Sequence, residues 1–69
     1  MRFRMPDIKV TLSSHPDFVY FAETTVRGRQ FATRGDTKEE IGSWIARLVK
    51  SGERHGIEFR LVDEVNLFD

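Results

Sequence analysis

The stretch that decides the fold is GDTKEEIGSWIARLVKSG, residues 35–52. Asp36 or Thr37 can cap a helix at its start, because a short polar side chain accepts a hydrogen bond from a free backbone N–H of the first turn. Glu39 or Glu40, three residues after these, completes a capping box and favours the positive end of the helix dipole. The sequence therefore predicts that a helix begins here.

The apolar side chains of the same stretch repeat at helical spacing. They occupy positions i, i+3, i+4, i+7 and i+8, which is one stripe along a helix: Ile41, Trp44, Ile45, Leu48 and Val49. Lys50 and Gly52 form a stop signal, so the predicted helix covers about Thr37 to Ser51. Gly42, inside it, either permits the close approach of a strand or is tolerated at a cost of about 1 kcal/mol.

Most of the remaining chain has the character of β-strands. Apolar and polar residues alternate over residues 7–12 and again from Ile57 to Leu61, as in strands with one buried face. Between them, residues 18–26 and the segment RQFATR flank Gly28, which can adopt a positive φ, so we expect a β-hairpin there. Asp63 interrupts the last alternation, and the tail VNLFD either continues the strand or forms an irregular lid.

The register of the hairpin has two solutions. A two-residue turn with Gly28 in its second place groups Phe31 with Phe18, Tyr20 and Val26. A three-residue turn with Gly28 in its last place groups Phe31 with Val19 and Phe21. Because a shift of one residue moves every side chain to the other face, the turn decides which aromatic groups lie together.

The order of elements, β-β-β-α-β, predicts a single α+β domain. Its three- or four-stranded antiparallel sheet is expected to be covered on one face by the helix, which leaves the opposite face to solvent or to a partner. The predicted core consists of Ile8, Val10, Leu12, Trp44, Ile45, Leu48, Ile57, Phe59 and Leu61. With 69 residues the chain is expected to form one domain with one core.

Composition excludes several kinds of function. The 11 basic and 11 acidic residues cancel, so the chain lacks the overall positive field of a protein that binds nucleic acid mainly through phosphates. The chain has no cysteine and therefore no disulfide or thiolate–metal site. Its stability must come from packing or from association with another chain, so a homodimer is possible. The longest apolar run, residues 18–22, is too short for a membrane span, so no membrane association and a cytoplasmic location are expected.

Residues for catalysis do not converge in the sequence. His15 and His55 fall in predicted turns, where solvated histidines are common, and there is no glycine-rich phosphate loop, nucleophile elbow or metal-spaced cluster. We therefore predict no enzyme activity, no catalytic or metal-binding residues and no cofactor.

The predicted binding surface starts from the segment FVYF, residues 18–21, which places large apolar side chains on both faces of one strand. One helix covers only one face of the sheet. The apolar side chains of this strand on the other face are therefore expected to contact a protein partner. Alternatively, the ends of the chain shield this strand through Phe3, Met5, Leu67 and Phe68. The predicted partner-binding residues are Val19, Phe21, Arg27, Arg29, Phe31 and Arg34.

A second interpretation of the same hairpin is a small nucleic-acid-binding protein. Arg27, Arg29 and Arg34 would contact phosphates, while aromatic residues on the adjacent strands would stack on bases. Glu23 on the same hairpin weakens the positive field. Protein binding is therefore the leading prediction.

The segments FVYFAETT, RQFAT, GDTKEEIGSWIARL and GIEFRLVDEV follow one another over about residues 18–65. In this order of strand, strand, capped helix and closing strand, the chain resembles small phage-encoded inhibitors of host enzymes, in particular the T7-type inhibitor of bacterial RNA polymerase. That resemblance implies a stoichiometric inhibitor that contacts its target through charged strand and loop residues. The helix start GDTKEEI is also similar to the strand-to-helix junction of HicB-type antitoxins, whose core has a similar order of elements.

Overall fold

A computed structural model describes residues 5–68 of the chain. The elements are β1 (Asp7–Leu12), β2 (Tyr20–Val26), β3 (Arg29–Gly35), α1 (Lys38–Arg54) and β4 (Arg60–Asp63). The strands form one four-stranded sheet in the order β3-β2-β1-β4, with α1 packed on one face. The predicted α+β class and the element order β-β-β-α-β are confirmed. Phe3, predicted to shield the sheet, lies outside the described residues.

The β2–β3 hairpin closes with a two-residue turn. Val26 pairs with Arg29, and the two residues between them both have positive φ, 52° at Arg27 and 80° at Gly28. This is the type I′ geometry, whose twist matches that of the flanking strands. The first of the two registers is therefore the correct one, and Phe31 shares a face with Tyr20 and Val26.

The sheet is mostly antiparallel, with one parallel pair. β1 and β3 both run antiparallel to β2, whereas β4 runs parallel to β1. The reason is the connection between β3 and β4. Because α1 carries the chain back along the sheet, β4 starts at the same end of the sheet as β3. It therefore runs in the same direction as β3 and β1. The pattern of the sequence predicted antiparallel pairing throughout, and the parallel pairing of β4 with β1 corrects this prediction.

Both ends of α1 are closed by hydrogen bonds. Thr37 is the N-cap, and its Oγ1 accepts a hydrogen bond from the backbone N–H of Glu40 at 3.2 Å. The Glu40 carboxylate in turn accepts from the backbone N–H of Asp36 at 3.1 Å. The helix continues to Arg54, three residues beyond the predicted end, and Gly56 with φ 70° follows its C-cap. Gly56, and not Gly52 as predicted, is therefore the glycine that follows the end of the helix.

The core lies between α1 and the sheet. Its buried apolar residues are Ile8, Val10, Ala22, Ile41, Ile45 and Leu67, with Tyr20, Trp44, Leu48, Val49, Phe59 and Val65 packed around them. The core prediction was wrong for Leu12, which is 67% exposed, for Leu61, which is 39% exposed, and for Ile57, which does not belong to this cluster. Leu12 is the last residue of β1 and Leu61 lies on the edge strand β4, while α1 packs mainly on β2 and β3.

The C-terminal tail is an irregular lid on the helix side of the sheet. Asp63 ends β4, and its carboxylate accepts hydrogen bonds from the backbone N–H of Val65 at 3.0 Å and of Leu67 at 2.6 Å. Lys38 at the start of α1 donates to the carbonyl oxygen of Asn66 at 3.0 Å. These bonds hold Leu67 in the core. In residues 5–68 no helix is long and apolar enough to cross a membrane.

Two glycines of α1 have different surroundings. A Cβ atom at Gly52 would lie 2.6 Å from Cε2 of Phe59 and 3.0 Å from the carbonyl oxygen of Ile57, so the segment after the helix approaches Gly52 too closely for a side chain. A Cβ atom at Gly42 would meet Cε1 of Phe68 at 3.5 Å, which is ordinary van der Waals contact. Gly42 is therefore tolerated, and the close approach occurs at Gly52.

We expect Gly42→Ala to raise the free energy of unfolding by about 1 kcal/mol, because alanine is the better helix former. Gly52→Ala should lower it by about 1–3 kcal/mol, because the new methyl group overpacks against the Phe59 ring. Urea unfolding followed by circular dichroism measures both changes. A stabilising effect of Gly52→Ala would show that the Phe59 ring is not held against the helix.

We expect Asp63→Ala to lower the free energy of unfolding by about 2 kcal/mol, because two backbone N–H groups lose a charged acceptor. Glu64→Ala is the matched control, since Glu64 is the next acidic residue and is exposed. The same urea unfolding compares the two variants. Equal stability of both would mean that the tail does not depend on the Asp63 carboxylate.

Candidate functional site

The face of the sheet opposite α1 is here called the open face. Strand alternation and the pairing register assign it the side chains of Asp7, Lys9, Thr11, Phe21, Glu23, Thr25, Gln30, Ala32, Arg34, Arg60 and Val62. Within residues 5–68, α1 and the tail both pack on the other side.

An aromatic cluster lies at one end of the open face. The rings of His15 and Phe18 are stacked, with centroids 4.9 Å apart and planes inclined by 5°. The guanidinium carbon of Arg34 lies 5.1 Å from the centroid of the Phe18 ring, which is cation–π geometry. Phe21 is the cross-strand partner of Arg34. The cluster of His15, Phe18, Phe21 and Arg34 is therefore an amphipathic patch with a cationic group at its centre.

The loop before β2 positions this cluster. The backbone N–H of Ser13 donates to the carbonyl oxygen of Val19 at 2.8 Å, which closes the loop, and the N–H of His15 donates to the Ser13 hydroxyl at 2.9 Å. The N–H of Asp17 donates to Nδ1 of His15 at 3.1 Å. These bonds orient the imidazole against Phe18, so the loop is an ordered part of the surface.

The charges of the open face are only partly compensated. Arg60 and Asp7 form a bidentate pair, with Nε to Oδ1 at 3.0 Å, and Glu23 accepts a hydrogen bond from Gln30 at 3.1 Å. Lys9 and Arg34 have no ion-pair partner among the described residues. The open face carries three basic side chains, Lys9, Arg34 and Arg60, against two acidic ones, Asp7 and Glu23, so it is locally basic although the whole chain is neutral.

The structure brings only some of the predicted binding residues together. Phe21 and Arg34 face each other on the open face. Arg29 and Phe31 pair with Val26 and Thr24, so both point to the helix side, where Phe31 is 40% exposed.

The other two predicted residues lie outside the strands. Arg27 is in the hairpin turn, and Val19 is in the bend before β2, 46% exposed. The six residues therefore do not share one surface. Phe18 was grouped with Phe31 on the basis of strand parity, but it precedes β2 and packs on Arg34 instead.

The described residues contain no arrangement typical of a metal site, since no three or more of His, Cys, Asp and Glu side chains group together in residues 5–68. Nδ1 of His55 lies 3.0 Å from the carbonyl oxygen of Ser51 at the end of α1, and His55 is far along the chain from His15.

The comparisons with known proteins give no further guidance: no family model, no curated protein and no solved structure matches this chain.

We expect Phe21→Glu to lower the free energy of unfolding by at most about 1 kcal/mol, because the new carboxylate stays on the open face opposite Arg34. Ala22→Glu is the matched control one residue away: Ala22 is fully buried on the helix side, and its replacement should cost more than about 3 kcal/mol. Thermal unfolding measures both. Unfolding of the Phe21 variant would place that side chain in the core instead of on a binding surface.

Proposed function

We propose that this chain is a non-catalytic protein-binding module that docks on an acidic surface of its partner through the open face and the basic hairpin. The observation that carries the proposal is the uncovered sheet face, which combines an aromatic cluster with cations that lack ion-pair partners. Aromatic residues and arginine are the groups that most often dominate the energy of protein interfaces. Lys9 and Arg34 would add attraction for an acidic partner during encounter.

The size of the expected interaction follows from burial. Phe18 and Phe21 are both only half-buried in the isolated chain. Complete burial of a fully exposed large apolar side chain contributes on the order of 1.5–3 kcal/mol, and these partly buried rings would gain only a part of it. The two rings together would still supply an apolar centre around which the charged groups set orientation. In keeping with the resemblances described above, we propose an accessory or inhibitor protein of a phage or mobile element, acting in the cytoplasm.

Nucleic-acid binding is the weaker proposal, because the arginines are dispersed. Arg29 and Arg34 lie at opposite ends of β3, about 17 Å apart along the strand, and point to opposite faces of the sheet. Arg34 is also packed on the Phe18 ring. A single phosphate backbone would have to pass around the sheet edge to contact both, whereas a protein surface can meet Arg34 and the aromatic cluster directly.

Site-specific photo-cross-linking tests the proposed face. A benzophenone amino acid in place of Phe21 should give a discrete protein adduct in cells of the native host. The same group in place of Ser43, exposed on α1, is the control and should not give that adduct. Equal labelling from both positions would contradict docking on the open face, and an adduct that nuclease removes would replace protein by nucleic acid.

Charge reversal in the cross-linkable chain tests the acidic partner. We expect Lys9→Glu with Arg34→Glu to lower the adduct yield at least about tenfold, because like charges then meet across the interface. Arg47→Glu with Lys50→Glu, on the exposed side of α1, reverses the same number of charges and should leave the yield unchanged. Equal losses in both variants would show a dependence on net charge and not on this face.

A further inference from the structure

The outer edge of β3 carries backbone groups that form no hydrogen bond within the described part of the chain. β3 is an end strand of the sheet, and its ladder with β2 closes at the hydrogen-bonded pair of Val26 and Arg29. Because bonded and non-bonded pairs alternate in an antiparallel ladder, the N–H and C=O groups of Gln30, Ala32 and Arg34 point away from β2. No other backbone group or side chain of the described residues bonds to them.

The side chains along this edge can be reached from both faces of the sheet. By strand alternation Gln30, Ala32 and Arg34 lie on the open face, whereas Arg29 and Phe31 lie on the helix side. All of them are exposed, and the large apolar side chain of Phe31 is 40% exposed. The small side chain of Ala32 leaves the middle of the edge without bulk on the open face. A further strand can therefore approach the edge along its length.

We propose that the edge of β3 binds an extended segment of the protein partner, which adds a strand to the sheet. In strand addition the main-chain hydrogen bonds supply affinity, and alternate side chains supply specificity. The outward groups of Gln30, Ala32 and Arg34 recur at every second residue, about 7 Å apart, which is also the spacing of the complementary groups on a partner strand. The inference rests on the proposed function, since the segment is assigned to the protein partner.

The charges of β3 define the chemistry of the segment. Arg29 and Arg34 are the charged residues of this strand, and neither forms an ion pair within the described residues. Directly opposite side chains on neighbouring strands lie about 4.5–5.5 Å apart, so a partner residue beside either arginine meets a positive charge at contact distance. A carboxylate at that position is attracted, whereas a basic side chain is repelled. The favoured segment is therefore acidic.

The acidic groups near β3 are further from such a segment or are partly offset. Glu23 belongs to β2, so it lies two strand spacings, roughly 10 Å, from an added strand, which is about one Debye length. Asp36 and Glu40 lie past the end of β3, where the positive end of the α1 dipole partly offsets their charge. The arginines therefore dominate the field that an added strand experiences along β3.

The positions of the side chains on β3 predict a sequence pattern for the segment. Arg29 and Arg34 are five residues apart, so two acidic residues that lie opposite them are also five apart. An apolar side chain opposite Phe31 would cover the exposed ring. We therefore expect acidic residues at the first and sixth positions of the segment. The apolar residue is expected at the fourth position in antiparallel pairing and at the third position in parallel pairing.

A display library of random twelve-residue peptides, selected on the full chain, tests the edge without the partner. We expect the enriched peptides to carry two acidic residues five apart. Ala32→Pro should weaken their binding at least about tenfold, because it removes an outward N–H and places the proline ring on the edge, while the bonds to β2 remain.

The matched control for the proline is Leu61→Pro on β4, the other end strand of the sheet. The N–H groups of Arg60 and Glu64 bond to β1, so by alternation the N–H of Leu61 points outward. Leu61→Pro should change the dissociation constant of the peptides less than about twofold. Circular dichroism verifies that both proline variants are folded.

Charge exchange tests the edge without altering the backbone. Arg29→Glu should weaken binding of the same peptides about fivefold, and replacing one of the two acidic peptide residues by lysine should restore binding to this variant but not to the wild type. Arg47→Glu, exposed on α1, is the control and should leave binding unchanged. Because Arg29 is exposed and forms no ion pair within residues 5–68, this experiment decides the proposal even if Ala32→Pro does not fold.

Amide chemical shifts locate the bound peptide and should change most at Gln30, Ala32 and Arg34. The inference is overturned if no peptide is enriched, if the enriched peptides lack the acidic pair, or if the shifts concentrate on β4 or α1. It is also overturned if folded Ala32→Pro or Arg29→Glu binds the peptides as the wild type does. Sedimentation that shows paired copies whose association Ala32→Pro abolishes would replace the partner segment by a second copy of this chain.

The two proposals can fail separately. If no such peptide binds while the adduct from position 21 persists, docking on the open face stands and the added strand is wrong. If the peptides bind at the edge while position 21 gives no discrete adduct, docking on the open face is wrong and the strand site stands.

Discussion

The structure depends on the contact between one helical stripe and one face of the sheet. Ile41 and Ile45 of α1 are buried against Ile8, Val10 and Ala22, and Leu67 of the tail closes the side of this cluster. A protein of 69 residues can fill little more than one such layer. Within residues 5–68 neither the helix nor the tail covers the other face of the sheet, and the aromatic cluster lies at one end of that face.

The sequence predicted the elements well because each has a strong local signal. The alternation over residues 7–12 corresponds to β1, and the capping residues placed the start of α1 at Thr37. The predicted end of α1 was too early because Gly52 was interpreted as a helix stop signal. The helix continues past this residue, and a glycine is needed there because the Phe59 ring lies against it. Such a tertiary contact between the helix and the chain after it leaves no local pattern.

The candidate surface was harder to predict, for two physical reasons. Phe21 and Arg34, both predicted as partner-binding residues, are cross-strand neighbours on the open face because strand alternation applies to both. Phe18 and Val19 were misplaced because the chain bends before β2, where alternation no longer holds. The stacking of His15 on Phe18 has no sequence signal of its own, since it depends on how the loop before β2 folds.

The free edge of β3 has a consequence for how copies of this chain meet. Seven residues of an edge strand form a template onto which an identical strand can add. β3 has an arginine near each end, Arg29 with its side chain on the helix side and Arg34 with its side chain on the open face. Charged side chains on an edge strand disfavour edge-to-edge addition of two copies, so these arginines help to protect a small, half-covered sheet from aggregation.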